Sequence, residues 1–116
     1  MTTLNFSSQT AYYDLAKMFQ FFLASLKITV SLFTEDDNSV TGIVDELDLV
    51  ENAPSKEECI TSLIKEMKNY AEDFYNEFEF WSLAPNRKNH IIYVLKILTS
   101  TEQELRESIE CQNGKS

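Results

Sequence analysis

Glycine, histidine and cysteine are all scarce in this 116-residue chain, and each shortage excludes a class of site. Gly42 and Gly114 are the only glycines, so no phosphate-binding glycine loop of the Walker or dinucleotide type fits the sequence. His90 is the only histidine and cannot supply a two-histidine zinc site, while Cys59 and Cys111 have no further ligand at metal-binding spacing. The sequence therefore predicts neither a metal centre nor a cofactor.

Long apolar runs are also missing. The most apolar stretch, residues 15–26, is interrupted by Lys17, Gln20 and Ser25 and falls short of the ~20 residues that a membrane-spanning helix needs. No cleavable leader is recognisable, and two isolated cysteines are typical of reduced thiols rather than of a disulfide framework. We expect a cytoplasmic protein that does not cross a membrane.

The apolar content that is present suffices for one domain. Hydrophobic residues make up 43% of the chain and aromatic residues 12%. A chain of this length buries roughly two thirds of its unfolded surface when it folds. We expect a single domain over residues 1–116, with an α/β sheet part at 1–52, a helical part at 53–110 and a frayed tail at 111–116.

The negative charge is concentrated in the middle of the chain. The net charge is −9, yet residues 35–79 alone carry −11, and the segments before and after each carry +1. An acidic surface repels phosphate backbones, so direct binding of nucleic acid is not expected. The charge pattern favours a basic protein partner instead.

Hydrophobic periodicity predicts an α+β fold. We expect an N-terminal strand at 3–6, a helix at 9–25 capped by Ser7 or Ser8, and a small antiparallel sheet of two to four strands that includes a hairpin of 28–32 with 40–44. Residues 47–50 either extend the second strand or form a third. Two or three C-terminal helices follow, at about 55–79, at about 87–99 and from 101 toward 109.

Capping signals support these helix starts. Ser55 with Glu58 and Thr101 with Glu104 have the spacing of capping boxes, and Asn86 is placed to cap the helix at 87–99. The first helix carries apolar residues at the spacing of a core-facing stripe: Tyr12, Leu15, Met18, Phe19, Phe22 and Leu23.

Six carboxylates lie in or beside the predicted hairpin and the segment that follows it: Asp36, Asp37, Asp45, Glu46, Asp48 and Glu51. Paired carboxylates serve general acid–base catalysis or bind divalent cations, but no defined pair and no calcium-loop pattern is present. A solvated strand edge and a docking surface for a basic protein are the remaining interpretations. On the predicted long helix, Glu72 and Asp73 lie on the polar face, whose ordinary explanation is solvation.

Arg87 and Lys88 stand at the predicted start of a helix, where the dipole disfavours each exposed cation by ~0.3–1 kcal/mol. Either a phosphate or a partner's carboxylates contact them, or Glu77 and Glu79 fold back and neutralise them. No nucleophile is spaced to pair with His90, so it is not expected to act in catalysis.

Aromatic residues are dense between positions 70 and 81. Most of them are expected in the core. Tyr75, Phe80 or Trp81 could instead contact a partner at an interface.

Three runs carry a family resemblance: residues 70–75, residues 84–98 with their Pro-Asn-Arg-Lys stretch, and residues 111–115. Over about residues 39–115 the chain resembles bacterial antitoxins of the RelB-like or HicB-like kind. The first 38 residues are similar in outline to the amino-terminal module of Phd/YefM-type antitoxins, which dimerises and can bind operator DNA. Ser25, Leu26 and Lys27 stand where that module carries a glycine and more basic residues.

The resemblance implies a non-catalytic inhibitor that neutralises a basic toxin, commonly a ribonuclease, by covering its active surface. The docking surfaces it implies are the acidic segment 35–51 and the exposed face of the long helix, and the first helix becomes the self-association face of a homodimer. The partner-binding residues are then expected to be Asp36, Asp37, Asp45, Glu46, Asp48, Glu51, Glu72, Asp73, Trp81, Arg87 and Lys88. Two other classes stay open: another acidic nuclease inhibitor, such as an immunity protein or a phage anti-CRISPR protein, and a DNA-binding autoregulator.

Overall fold

A computed structural model describes residues 9–114 of the chain. The elements follow in the order α1 (Gln9–Ser25), β1 (Ile28–Thr34), β2 (Val40–Val44), β3 (Leu49–Ala53), α2 (Lys56–Asn76), α3 (Phe78–Ser82), a 3₁₀ turn (Lys88–His90), α4 (Ile91–Leu98), α5 (Glu102–Ser108) and β4 (Ile109–Asn113). The predicted strand at 3–6 and the predicted cap at Ser7 or Ser8 lie outside the described residues. The α+β class is confirmed, with a helix first, then a sheet, then helices.

The sheet is mixed rather than antiparallel. Its strand order is β3-β2-β1-β4, with β4 parallel to β1 and Ile28 level with Ile109. The prediction of a frayed tail after a last helix was wrong, because residues 109–113 return along β1 as an edge strand. The predicted hairpin of β1 and β2 is confirmed, and residues 49–53 form a third strand rather than extending the second.

The core lies between α2 and one face of the sheet. Its fully buried side chains include Val30, Val44, Leu63 and Met67. Gly42 of β2 allows α2 to lie close against the sheet, since a Cβ at that position would lie 2.8 Å from both the Cys59 Sγ and the Leu63 Cδ1 atoms. The sheet therefore fixes the position of α2.

The helix α1 has the predicted bounds, α2 and α5 begin within one residue of their predicted starts, and α4 begins at Ile91 rather than at about residue 87. Ser55 caps α2 by accepting the Glu58 N–H (3.2 Å), and Thr101 forms a reciprocal capping box with Glu104 at the start of α5. The predicted helix at 55–79 breaks at Glu77, where the non-helical φ, ψ of −121°, 43° separates α2 from α3. The prediction that Asn86 caps a helix was wrong, because Arg87 precedes a 3₁₀ turn without a side-chain cap.

The apolar stripe of α1 does not face the core of its own chain. Leu23 is buried, but the other large apolar side chains of the helix are between 45% and 78% exposed. The helix makes the molecule elongated: the radius of gyration is 17.4 Å, against about 13 Å for a compact chain of this length. The periodicity predicted the helix correctly. Its prediction that the apolar stripe is buried in the monomer was wrong, because no other element of residues 9–114 covers that stripe.

One buried lysine fixes the carboxyl end of α1 to the body. Lys96, only 2% exposed, donates from Nζ to the Leu23 and Ala24 carbonyl oxygens at 2.8 and 3.4 Å. These carbonyls belong to the last turn of α1, which lacks intrahelical partners and attracts positive charge. Burial lowers the pKa of the Lys96 ammonium, and the Lys27 charge lowers it further.

Within residues 9–114, no helix combines the length and apolar character that crossing a bilayer requires.

A candidate partner-binding surface

The acidic residues of the middle segment do not form one surface. Asp36 and Asp37 lie in the turn between β1 and β2, whereas Asp45, Glu46 and Asp48 lie in the turn between β2 and β3. Consecutive turns of a meander fall at opposite ends of the sheet, and a five-residue strand separates them by roughly 15 Å. The acids of segment 35–51 are therefore divided between two ends of the sheet, and the other seven acids of the −11 block lie on or beside α2 and α3.

Two of the predicted partner-binding carboxylates stabilise the sheet. The Asp45 carboxylate accepts hydrogen bonds from the Ser31 hydroxyl (2.9 and 3.0 Å) and from the Gln112 side-chain amide (3.1 Å). The Glu46 carboxylate accepts the Thr29 backbone N–H at 2.8 Å. These contacts join the β2–β3 turn to β1 and β4, so the first role of both carboxylates is in the fold.

The other predicted carboxylates are more available to solvent or a partner than those of Asp45 and Glu46. Asp37 accepts the Ser39 hydroxyl and N–H, and these bonds hold the pKa of its carboxyl below the usual value. Asp48 is exposed at a φ of 57° in its turn, and Glu51 is half-buried on the edge strand β3. Glu72 and Asp73 are exposed on α2.

The end of α2 extends past the sheet. The helix has 21 residues, or about 31 Å, and packs on strands about half that length. With α3 and the turn before α4 it forms a projecting corner, which we call the α2–α3 corner and define as residues 70–90. Asp48 of the β2–β3 turn lies close enough to His90, a residue of this corner, for its charge to raise the pKa of that histidine.

An arginine contacts two adjacent aromatic rings in the α2–α3 corner. The Arg87 guanidinium carbon lies 5.4 Å from the Trp81 ring centroid and 5.7 Å from that of Tyr70, and Nη1 donates to the Tyr70 hydroxyl at 3.4 Å. Glu77 and Glu79 do not neutralise it, because the ion pair found among residues 9–114 joins Arg106 to Glu57. The guanidinium is thus oriented by cation–π contacts and keeps donors free for an acidic group. Lys88 beside it is exposed.

Trp81 is half-buried beneath this arginine, with the Phe80 ring edge-on at 5.1 Å. Its Nε1 atom is buried and has no acceptor among the residues that the structure describes. A buried N–H without an acceptor costs about 1–3 kcal/mol, so Trp81 packs here at a cost to stability.

His90 is a packed residue rather than an exposed acid or base. A 2.6 Å hydrogen bond joins its Nδ1 atom to the Tyr70 hydroxyl, and the side chain is buried. The hydrogen bond found for its ring within residues 9–114 joins it to the Tyr70 hydroxyl rather than to a carboxylate. Burial lowers the pKa of His90, and the Arg87 charge lowers it further against the opposing effect of Asp48.

The depressed pKa of His90 predicts a loss of stability on acidification. Below the ordinary pKa of 6.5 the unfolded chain takes up a proton that the folded protein resists, so the free energy of unfolding falls as the pH drops from 6.5. Urea unfolding at pH 7.5, 6.5 and 5.5 measures it. His90→Asn, which keeps a hydrogen-bonding group toward Tyr70 and cannot titrate, should show a flatter profile. Parallel profiles for the two proteins would contradict the assignment.

Sequence reasoning missed part of this corner. Phe78 has the helical spacing of a core residue, yet it is exposed because the break at Glu77 turns α3 away from the sheet. Tyr75 and Phe80, the aromatic residues flagged as possible interface contacts, are both exposed. Leu83 is also exposed, and its position two residues before Pro85, a residue type that ends helices, was the available sequence signal.

The fold and most of the sequence match known antitoxins. Residues 6–111 match the family model named PHD-like, antitoxins of the RelE/RelB toxin–antitoxin system. A crystal structure from Syntrophomonas wolfei subsp. wolfei, assigned as the antitoxin part of a toxin/antitoxin system, has a TM-score of 0.76 and 33% sequence identity. The match covers 84% of this chain and 71% of that chain. No curated protein matches this sequence.

Proposed function

This chain belongs to the PHD-like family of antitoxins, and from that premise we propose that it neutralises its toxin by binding it, without catalysing a reaction. The observation that supports binding most directly is the amount of apolar surface left exposed on α1 and on the α2–α3 corner. Exposed apolar patches of this extent are typical of protein interfaces. The proposed place of action is the cytoplasm, where the two free cysteines, Cys59 and Cys111, stay reduced.

The proposed toxin is basic. Of the predicted contact residues, Asp45 and Glu46 form hydrogen bonds within the sheet. The proposed toxin contacts are the other predicted residues: Asp36, Asp37, Asp48, Glu51, Glu72, Asp73, Trp81, Arg87 and Lys88. Carboxylates spread over both ends of the sheet create a negative field that steers a cationic partner over long range. They also occupy a cationic nucleic-acid groove in competition with phosphates.

The proposed assembly is a homodimer joined through α1. In its 17 residues this helix carries one acid, Asp14, and one base, Lys17, so charge does not oppose the pairing of two copies. The proposed toxin contacts lie outside α1. Each chain can then bind one toxin molecule without disturbing the dimer.

A titration separates stoichiometric binding from catalytic inactivation. The protein encoded beside this antitoxin is the candidate toxin, and its activity should fall linearly with added antitoxin to an end point at one antitoxin chain per toxin. Co-expression should relieve growth arrest, and the two proteins should co-purify. Continued loss of toxin activity at substoichiometric antitoxin would contradict a purely binding mechanism.

Charge reversal tests the acidic contact. The double variant Glu72→Lys with Asp73→Lys should associate with the toxin about tenfold more slowly at low salt, with a smaller salt dependence. Glu107→Lys with Glu110→Lys makes the same charge change on exposed residues outside the acidic block and serves as control. Equal association rates for the two variants would rule out a local acidic contact on α2.

A further inference from the structure

Four large apolar side chains are exposed within nine residues of the α2–α3 corner: Tyr75, Phe78, Phe80 and Leu83. Leu83 is 81% exposed, and Phe80 lies beside the half-buried Trp81. Aromatic residues near a packed tryptophan and arginine are the composition of interface hot spots. This surface is separate from α1, which leaves the body at Ser25 and is held there by Lys96.

The corner differs from α1 in charge. Its apolar side chains are interspersed with four exposed carboxylates, Glu72, Asp73, Glu77 and Glu79, none of which takes part in the Arg106–Glu57 ion pair found among residues 9–114. Two copies meeting through this surface would bring eight carboxylates together against only four cations, from Arg87 and Lys88, and the excess of like charge disfavours such a contact. A second copy of the chain is therefore disfavoured here, and a partner with a basic rim around an apolar pocket is favoured.

Arg87 gives the α2–α3 corner a positive group that can bind a carboxylate of the partner. Its guanidinium contacts both the Trp81 and the Tyr70 ring and has no ion-pair partner within the described residues. An arginine that is already oriented loses little side-chain entropy when it binds a carboxylate. An acidic residue of the partner, placed within its basic rim, would fix the orientation of the complex.

We propose that the α2–α3 corner is the primary toxin-binding surface, with Phe80 and Leu83 inserted into an apolar pocket of the toxin and Arg87 paired with one of its carboxylates. This inference rests on the proposed function and specifies where on the chain the toxin binds. The carboxylates of the corner contact the basic rim of that pocket. The acids at the β1–β2 turn contribute to steering rather than to the bound state.

The test is the dissociation constant between the full-length antitoxin and the purified toxin. Phe80→Ser with Leu83→Ser should weaken binding at least 30-fold, the loss expected when hot-spot residues are removed. Val50→Ser, which removes an exposed apolar side chain from the β3 strand, is the matched control and should bind like the wild type. Arg87→Lys keeps the charge but loses the planar guanidinium that contacts both rings, and should weaken binding about tenfold.

The outcomes distinguish the two proposals. Weak toxin binding by the corner variants, with the dimer mass and unfolding temperature of the wild type, supports the corner as the toxin site. Wild-type affinity in Phe80→Ser with Leu83→Ser overturns this inference alone, and so does loss of self-association in place of toxin binding. Failure of the wild-type protein to bind the toxin at all overturns the proposed function and this inference with it.

Discussion

Replacing Leu15 and Phe22 with glutamate is expected to convert the proposed homodimer to a monomer of 13.4 kDa. The two residues are seven positions apart, on one face of α1, and both are about half exposed in the single chain. An apolar helix face of this kind is stable in water only when something covers it. Two carboxylates buried at a helix–helix contact without partners would cost more than the contact provides. Sedimentation equilibrium measures the mass.

The matched control places the same change on the other exposed apolar surface. Tyr75→Glu with Phe80→Glu should remain a dimer and lose toxin binding, whereas Leu15→Glu with Phe22→Glu should lose the dimer and keep toxin binding. This crossed result would assign one function to each surface. A wild-type mass for the Leu15 and Phe22 variant would exclude α1 as the dimer interface.

The sequence predicted α1 as a helix but not its environment, for a physical reason. Periodicity at three and four residues reports that an apolar face exists, and it does not report whether the same chain or another covers it. Lys96 illustrates the same limit. It lies within an apolar helix, where a lysine is ordinarily solvated, yet it is buried because the last carbonyl oxygens of α1 accept its hydrogen bonds.

The last strand was missed because its pattern is weak. Residues 109–113 contain one strongly apolar residue, Ile109, and pair in parallel with β1, which precedes them by about 80 positions. Nothing local encodes such a partner, whereas the hairpin of β1 and β2 is encoded by its own polar turn. The antiparallel part of the sheet could thus be predicted, and its parallel edge could not.

The candidate site was predictable in composition but not in arrangement. The charge map correctly located the acidity, but chain position does not show that successive turns lie at opposite ends of a sheet. Arg87 was identified by its unfavourable place at a helix start, and the structure provides aromatic rings rather than Glu77 and Glu79 as its neighbours. The break at Glu77, which exposes Phe78, follows from backbone geometry that no residue type at that position signals.

Adjacent aromatic residues on α2 should differ sharply in their effect on stability. Phe74 is 1% exposed and packs edge-on against Tyr70 and Phe78 at the end of the core, while Tyr75 is 69% exposed. Phe74→Ala is expected to lower the free energy of unfolding by about 3–5 kcal/mol, through lost burial and the cavity left behind. Tyr75→Ala should change it by less than about 0.5 kcal/mol, as surface substitutions usually do.

Urea unfolding at one fixed protein concentration measures both changes, because the proposed dimerisation would add to the apparent stability. A loss of 3–5 kcal/mol is a large part of the ~5–15 kcal/mol that folds a typical domain, so Phe74→Ala should also reduce the yield of folded antitoxin. Tyr75→Ala should fold normally and yet weaken toxin binding, since its side chain lies in the α2–α3 corner. Equal destabilisation by the two substitutions would mean that α2 presents a different face to the sheet, and the assignment of the corner would fail with it.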